Sequence, residues 1–213
     1  VHGSILIRDD VAYFVAGRSM FLDGGLVLYR LNPTTGDMLS KVLMNEEDPN
    51  TGADLHEYVT GVNNQLSMPT ASSDILSSEG DYLFMRSQPF DLEGGRDRVE
   101  LLPLEEQRGE DAHLFVPNGF LDDDYWHRSF WVYGRSVLGG PRYGETGRST
   151  PCGKLMVLDD ENLYIFGRTQ NYWGWTVPTE YRLFSVDRSL PESEPNMARP
   201  LRSAYSTRWE MNL

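Results

Sequence analysis

Cysteine is nearly absent, cations are scarce and no long apolar run occurs. Cys152 is the only cysteine among 213 residues, which leaves no internal disulfide framework and no cysteine-based zinc site. Nowhere do 18 apolar residues run together, so no membrane span is expected. Lys and Arg number 19 against 32 Asp and Glu, for a formal net charge of −13. Such a surface repels phosphate backbones and argues against general nucleic-acid binding, while acidic cation sites remain open. The four histidines lack metal-ligand spacing, and neither Gly-x-Ser-x-Gly nor His-Glu-x-x-His occurs. The glycine-rich stretch Gly139 to Gly147 has no Gly-Lys-Ser/Thr and no helix pattern after it, which excludes a phosphate cradle. Val1-His-Gly3 has no initiator Met and no basic segment followed by an apolar core, so either a leader has been removed or the chain is a fragment of a longer protein. With Gly3 already opening a strand, a fragment is expected.

Against these absences, aromatics make up 12% of the chain and hydrophobic residues 39%, enough to exclude a disordered chain. One stretch recurs. Tyr13-Phe-Val-Ala-Gly-Arg-Ser19 returns as Tyr82-Leu-Phe-Met-Arg-Ser87, as Phe130-Trp-Val-Tyr-Gly-Arg-Ser136 and as Leu163-Tyr-Ile-Phe-Gly-Arg-Thr169. Each is an apolar, β-branched and aromatic run closed by Arg and a hydroxyl residue, the pattern of a strand ending in a turn. The arginines at 18, 86, 135 and 168 are unevenly spaced, which excludes a strict solenoid and suits a radial array with loop insertions. Gly3 to Asp10 leads into the first copy and Gly153 to Asp160 into the fourth, each predicting a hairpin with an acidic turn. Tyr-Arg-Leu follows at 29–31 and 181–183, as if a third strand repeated too.

The pattern predicts an all-β chain of about four units, each a four-stranded antiparallel meander. The first unit spans 3–44, with strands at 4–8, 11–16, 25–31 and 38–43. The others fall at 73–104, 112–150 and 153–190, all in a single domain over 1–213, and a further unit is expected to begin at 204–213. Residues 45–72 read as a polar insertion, and Leu92 to Asp111 as a solvated charged loop with a possible strand at 99–102. Pro33 and Gly36 in Asn32-Pro-Thr-Thr-Gly36 supply the fixed φ and the left-handed position of a turn.

Gly25-Leu-Val-Leu-Tyr-Arg-Leu-Asn-Pro-Thr-Thr-Gly36 resembles the repeat of the pyrroloquinoline-quinone-like (PQQ-like) β-propellers. That pattern runs Gly, apolar strand, Leu-Asp, two residues, Thr-Gly and then Trp. Here Asn32 replaces the Asp, and Ser40 stands where the Trp would dock between blades. The resemblance covers residues 3–44 well and 153–190 in part. It implies an incomplete propeller ring whose remaining blades lie outside this chain, in a bacterial protein with an extracytoplasmic (periplasmic or secreted) location. It also makes PQQ or Ca²⁺ conceivable as ligands, although no cofactor is expected from the residues themselves.

Candidate ligand-binding residues lie on the loops. Asp54 and His56 sit in the 45–72 insertion, and His113 and His127 flank Asp122, Asp123 and Asp124, with Tyr125, Trp126 and Arg128 alongside. Carboxylates with imidazoles could meet a metal, and aromatics with Asp are common sugar contacts. The Asp run nevertheless lacks the alternate spacing of a Ca²⁺ loop. Trp173 and Trp175 in Asn171-Tyr-Trp-Gly-Trp-Thr176 could stack on a ligand. The expected function is a noncatalytic module that binds a protein or carbohydrate through its end-face loops. The alternatives are part of a quinone-dependent dehydrogenase, whose usual adjacent cysteine pair this chain lacks, or a propeller-based carbohydrate-active enzyme needing paired carboxylates at a defined separation.

Overall fold

The computed structural model describes residues 4–54, 75–86, 88–97, 112–115, 131–135, 151–168, 181–188 and 207–212. Every regular element among them is a β-strand. The first sheet contains β1 (Leu6–Arg8), β2 (Val11–Ala16), β3 (Leu26–Leu31) and β4 (Met38–Met44). β5 (Leu76–Glu79), β6 (Tyr82–Met85) and β7 (Gln88–Asp91) form the second, and β8 (His113–Phe115), β9 (Trp131–Gly134) and β10 (Cys152–Gly153) the third. The fourth holds β11 (Leu155–Leu158), β12 (Asn162–Arg168), β13 (Tyr181–Asp187) and β14 (Thr207–Asn212). All four are antiparallel, and each places its strands side by side in chain order. The repeated stretch is the second strand of every sheet: β2, β6, β9 and β12.

Local chemistry explains the meanders. Asp9 and Asp10 both take positive φ, at 49° and 59°, in the two-residue hairpin that joins β1 to β2, where short polar side chains tolerate the left-handed region. In the turn before β4, Asn32 Oδ1 accepts the amides of Thr34 at 2.8 Å and Thr35 at 3.1 Å, and Gly36 N donates to Asn32 O at 2.8 Å. Asn32 thus fills the turn role that an Asp could fill, because the turn needs only a carbonyl-type oxygen. The same device recurs sixteen residues on. Asp48 Oδ1 accepts the amides of Asn50 and Thr51, both at 2.9 Å, and Gly52 N donates to Asp48 O at 2.8 Å. Asp48-Pro-Asn-Thr-Gly52 is therefore a second Pro-x-Thr-Gly turn inside a stretch that sequence reading treated as an irregular insertion.

The sheets pack face to face in sequence order. Tyr13, Val15, Leu26, Leu28 and Met44 of the first sheet share a core with Leu76, Leu83, Met85 and Phe90 of the second. Phe84 of β6 stacks on His113 of β8 across the next boundary, with ring centroids 3.5 Å apart, and Ser77 Oγ donates to Leu114 O at 2.5 Å. Tyr133 of the third sheet and Met156, Leu163, Ile165, Phe184 and Val186 of the fourth make another core. Between those two sheets, Gly153 and Gly167 lie so close that a Cβ on Gly167 would stand 2.7 Å from the Gly153 Cα. Gly153 and Gly167 thus mark a close crossing of two backbones.

Three expectations need correction. Thr207–Asn212 pairs with β13 as the fourth strand of the last sheet, so it does not open a further unit; Trp209 lies opposite Ser185, a register that local sequence does not announce. Cys152-Gly153 pairs with β9, so the third sheet runs past residue 150 and includes the glycine assigned to the fourth unit. The two Tyr-Arg-Leu triplets end β3 but begin β13. They are a chance likeness and not equivalent positions, since strands draw on few residue types. The 99–102 strand lies outside the described residues.

Candidate functional site

Polar side chains gather at two places between sheets. The larger gathering centres on Arg188, just past the end of β13. Its guanidinium donates from Nη2 to Glu79 Oε1 at the end of β5, and from Nε and Nη2 to the Tyr133 hydroxyl of β9, each at 3.2 Å. Nη1 donates to Asp159 O at 2.6 Å, in the β11–β12 turn. One side chain thus ties the second, third and fourth sheets together. The pair is well shielded, with 18% of the Arg188 side chain and 28% of the Glu79 side chain exposed, and the guanidinium carbon lies 5.3 Å from the Tyr133 ring centre.

The electrostatics follow from this placement. Burial pushes the Tyr133 phenol above its ordinary value; the hydrogen bond and charge of Arg188 pull the other way, and Glu79 adds to the rise. Burial alone would lower the Arg188 pKa, but the Tyr133 hydroxyl and the Glu79 carboxylate outweigh it and hold the guanidinium above its usual value. A tyrosine shifted upward stays a neutral phenol at physiological pH, opposite to what a catalytic tyrosinate requires. The cluster has the chemistry of a tie between sheets.

The second gathering joins the first and second sheets. Gln88 is fully buried; its Nε2 donates to Asp97 O at 2.6 Å and Pro89 O at 3.0 Å, and its Oε1 accepts from Arg96 Nε at 2.8 Å. Arg96 Nη1 then donates to Glu47 O at 2.8 Å and Asn45 O at 3.4 Å. Burial lowers the Arg96 pKa, and the Asp48 carboxylate opposes that shift. Sequence reading put Arg96 on a solvated loop. The signal it passed over is Pro89, which lacks an amide donor and so suits an edge strand, here β7.

The loop residues singled out in the sequence are only partly within view. Asp54 is exposed and forms an isolated antiparallel bridge with Glu47, closing the Asp48–Gly52 turn. His113 is 4% exposed, its ring between Phe84 and Phe115. The structure places these two apart, one on the loop leaving the first sheet and the other between the second and third. His56, Asp122, Asp123, Asp124, Tyr125, Trp126, His127, Arg128, Trp173 and Trp175 lie outside the described residues. Among the described residues no group of three or more His, Cys, Asp and Glu side chains converges to hold a metal ion. Cys152 is half-buried on β10.

Comparison of the chain with protein-family models, curated proteins and solved structures finds no match.

Proposed function

We propose that the four sheets are blades of a PQQ-like β-propeller that serves as a noncatalytic binding module, taking a protein or carbohydrate ligand on its end-face loops. The observation that carries this reading is the packing of consecutive meanders face to face in chain order, the arrangement a radial array requires. The paired Pro-x-Thr-Gly turns at 32–36 and 48–52 add to it, since the propeller repeat places such a turn at a strand end. A scaffold role is further supported by the shielded charges: Arg188, Glu79 and Arg96 are engaged in holding one sheet to the next. An extracytoplasmic location belongs to the same proposal and rests on the resemblance.

Two assays on the full chain test it. Binding to an array of immobilised glycans and proteins, followed by a reducing-sugar assay on each glycan bound, is expected to show binding without cleavage. Hydrolysis would overturn the noncatalytic reading in favour of a carbohydrate-active enzyme. Quenching of the five tryptophans on titration with PQQ and Ca²⁺ would instead favour the dehydrogenase. The proposal expects none.

A further inference from the structure

The second sheet is covered on both faces: Leu83 and Met85 meet the first sheet, and Phe84 meets the third. Among the described residues, the first and last sheets are covered on one face only. Register puts Ile7, Phe14, Tyr29 and Leu43 together on the face of the first sheet that turns away from the second, and Ile5 lies two residues before Ile7, just ahead of β1. Ile5, Ile7 and Leu43 are 67%, 57% and 55% exposed. The fourth sheet mirrors this. Leu155, Val157, Tyr164, Phe166, Trp209 and Met211 share the face turned away from the third sheet, with Leu155 at 63%, Val157 at 64% and Met211 at 53% exposure. Exposed apolar residues scattered singly need no explanation, but two contiguous sheet faces do.

We propose that the bare face of the first sheet docks on the bare face of the fourth sheet of a second copy, and reciprocally, so that two copies close a ring of eight sheets. The contact continues an interface already present. Within the chain, each sheet meets the next through one face and the preceding one through the other. The bare face of the first sheet is the one a preceding sheet would occupy, and that of the fourth is the one a following sheet would occupy. A fourth-to-first junction repeats that packing between copies.

Area argues for two junctions. Strands about 4.8 Å apart, each five or six residues long at about 3.3 Å per residue, give a four-stranded face of roughly 400 Å². A single junction would bury about 800 Å² in total, short of a stable interface, whereas two reach about 1,600 Å², the usual size of one. A head-to-tail contact must close or propagate, and eight sheets lie at the upper end of the rings of about 4–8 blades. The contact stands on the sheet faces alone; closure at two copies rests on the propeller reading.

Light scattering of the full chain tests this, with Ile7→Glu and Val157→Lys as variants. Both positions are exposed, and unchanged far-ultraviolet circular dichroism confirms folding. The natural chain is expected at twice its 24.3 kDa mass, and each variant alone at that mass. Mixing the two variants is expected to restore the dimer, because one junction is then intact and the other pairs Glu with Lys. A monomeric natural chain would overturn the docking and leave the propeller reading intact. So would a Val157→Lys dimer, which would mean that like faces meet, or a mixture that stays monomeric. An open-ended series of larger species, abolished by Ile7→Glu, would overturn closure at two copies and count against the propeller reading itself.

Discussion

At the scale of single residues, glycines separate backbone strain from lack of space. Gly36 has φ of 79° with nothing within 4 Å of an added Cβ, so Gly36→Ala should cost about 1 kcal/mol from the left-handed backbone alone. Gly25 has φ of 101°, and a Cβ there would run into the Met44 carbonyl oxygen. Gly25→Ala should therefore cost about 2–4 kcal/mol, strain and clash together. Urea unfolding of the two variants measures the difference; equal losses would contradict it. Asp159 makes a pH argument. Its carboxylate accepts the amides of Glu161 at 2.9 Å and Asn162 at 2.7 Å and the Tyr164 hydroxyl at 2.8 Å. The Glu161 amide foremost, then Tyr164 and Asn162, hold its pKa below the usual value. The unfolded chain then binds the proton more readily, so this contribution is complete above the ordinary carboxylate range and disappears as pH falls through the folded value. Asp159→Asn keeps an acceptor for the turn amides but cannot titrate. Its stability should vary less than that of the natural chain between about pH 2 and 5, measured by thermal melts across that range. The turn at Asn32 was legible because Pro33 and Gly36 are local signals. Asp48 escaped notice because its polar neighbours resemble a loop, although the spacing to Pro49 and Gly52 is the same.

At the scale of elements, strands with strong apolar runs declared themselves, and the first sheet differs from expectation by one or two residues at its ends. Two strands did not, and a third was expected but not its partner. β7 contains a proline, β10 has two residues and no alternation to read, and β14 pairs with β13 across a long separation that no local pattern records. The buried Gln88–Arg96 link was hidden for a related reason: a Gln and an Arg in a charged stretch look solvated until the loop folds back between two sheets. Gln88→Leu would remove the acceptor of Arg96 Nε and one donor each to the Asp97 and Pro89 carbonyls. A loss of about 2–4 kcal/mol is expected, the range for a buried polar group left unsatisfied beside a charge. Urea midpoints at constant slope would show it, and a loss under about 0.5 kcal/mol, typical of surface substitutions, would contradict the burial.

At the scale of the whole molecule, the fold class could be read from repetition, while the candidate site could not. Repeated second strands foretold four sheets, but nothing in the sequence tied Arg188 to Glu79, which lies 109 residues earlier. Consecutive sheets stack so that Arg188 joins the second, third and fourth. A double-mutant cycle with Glu79→Ala, Arg188→Ala and the double variant, read by urea unfolding, measures whether they do. The stacked arrangement requires a coupling energy of about 1–3 kcal/mol, within the range for residues in direct contact. Losses that simply add would contradict it, because side chains on sheets that do not meet have nothing to couple them.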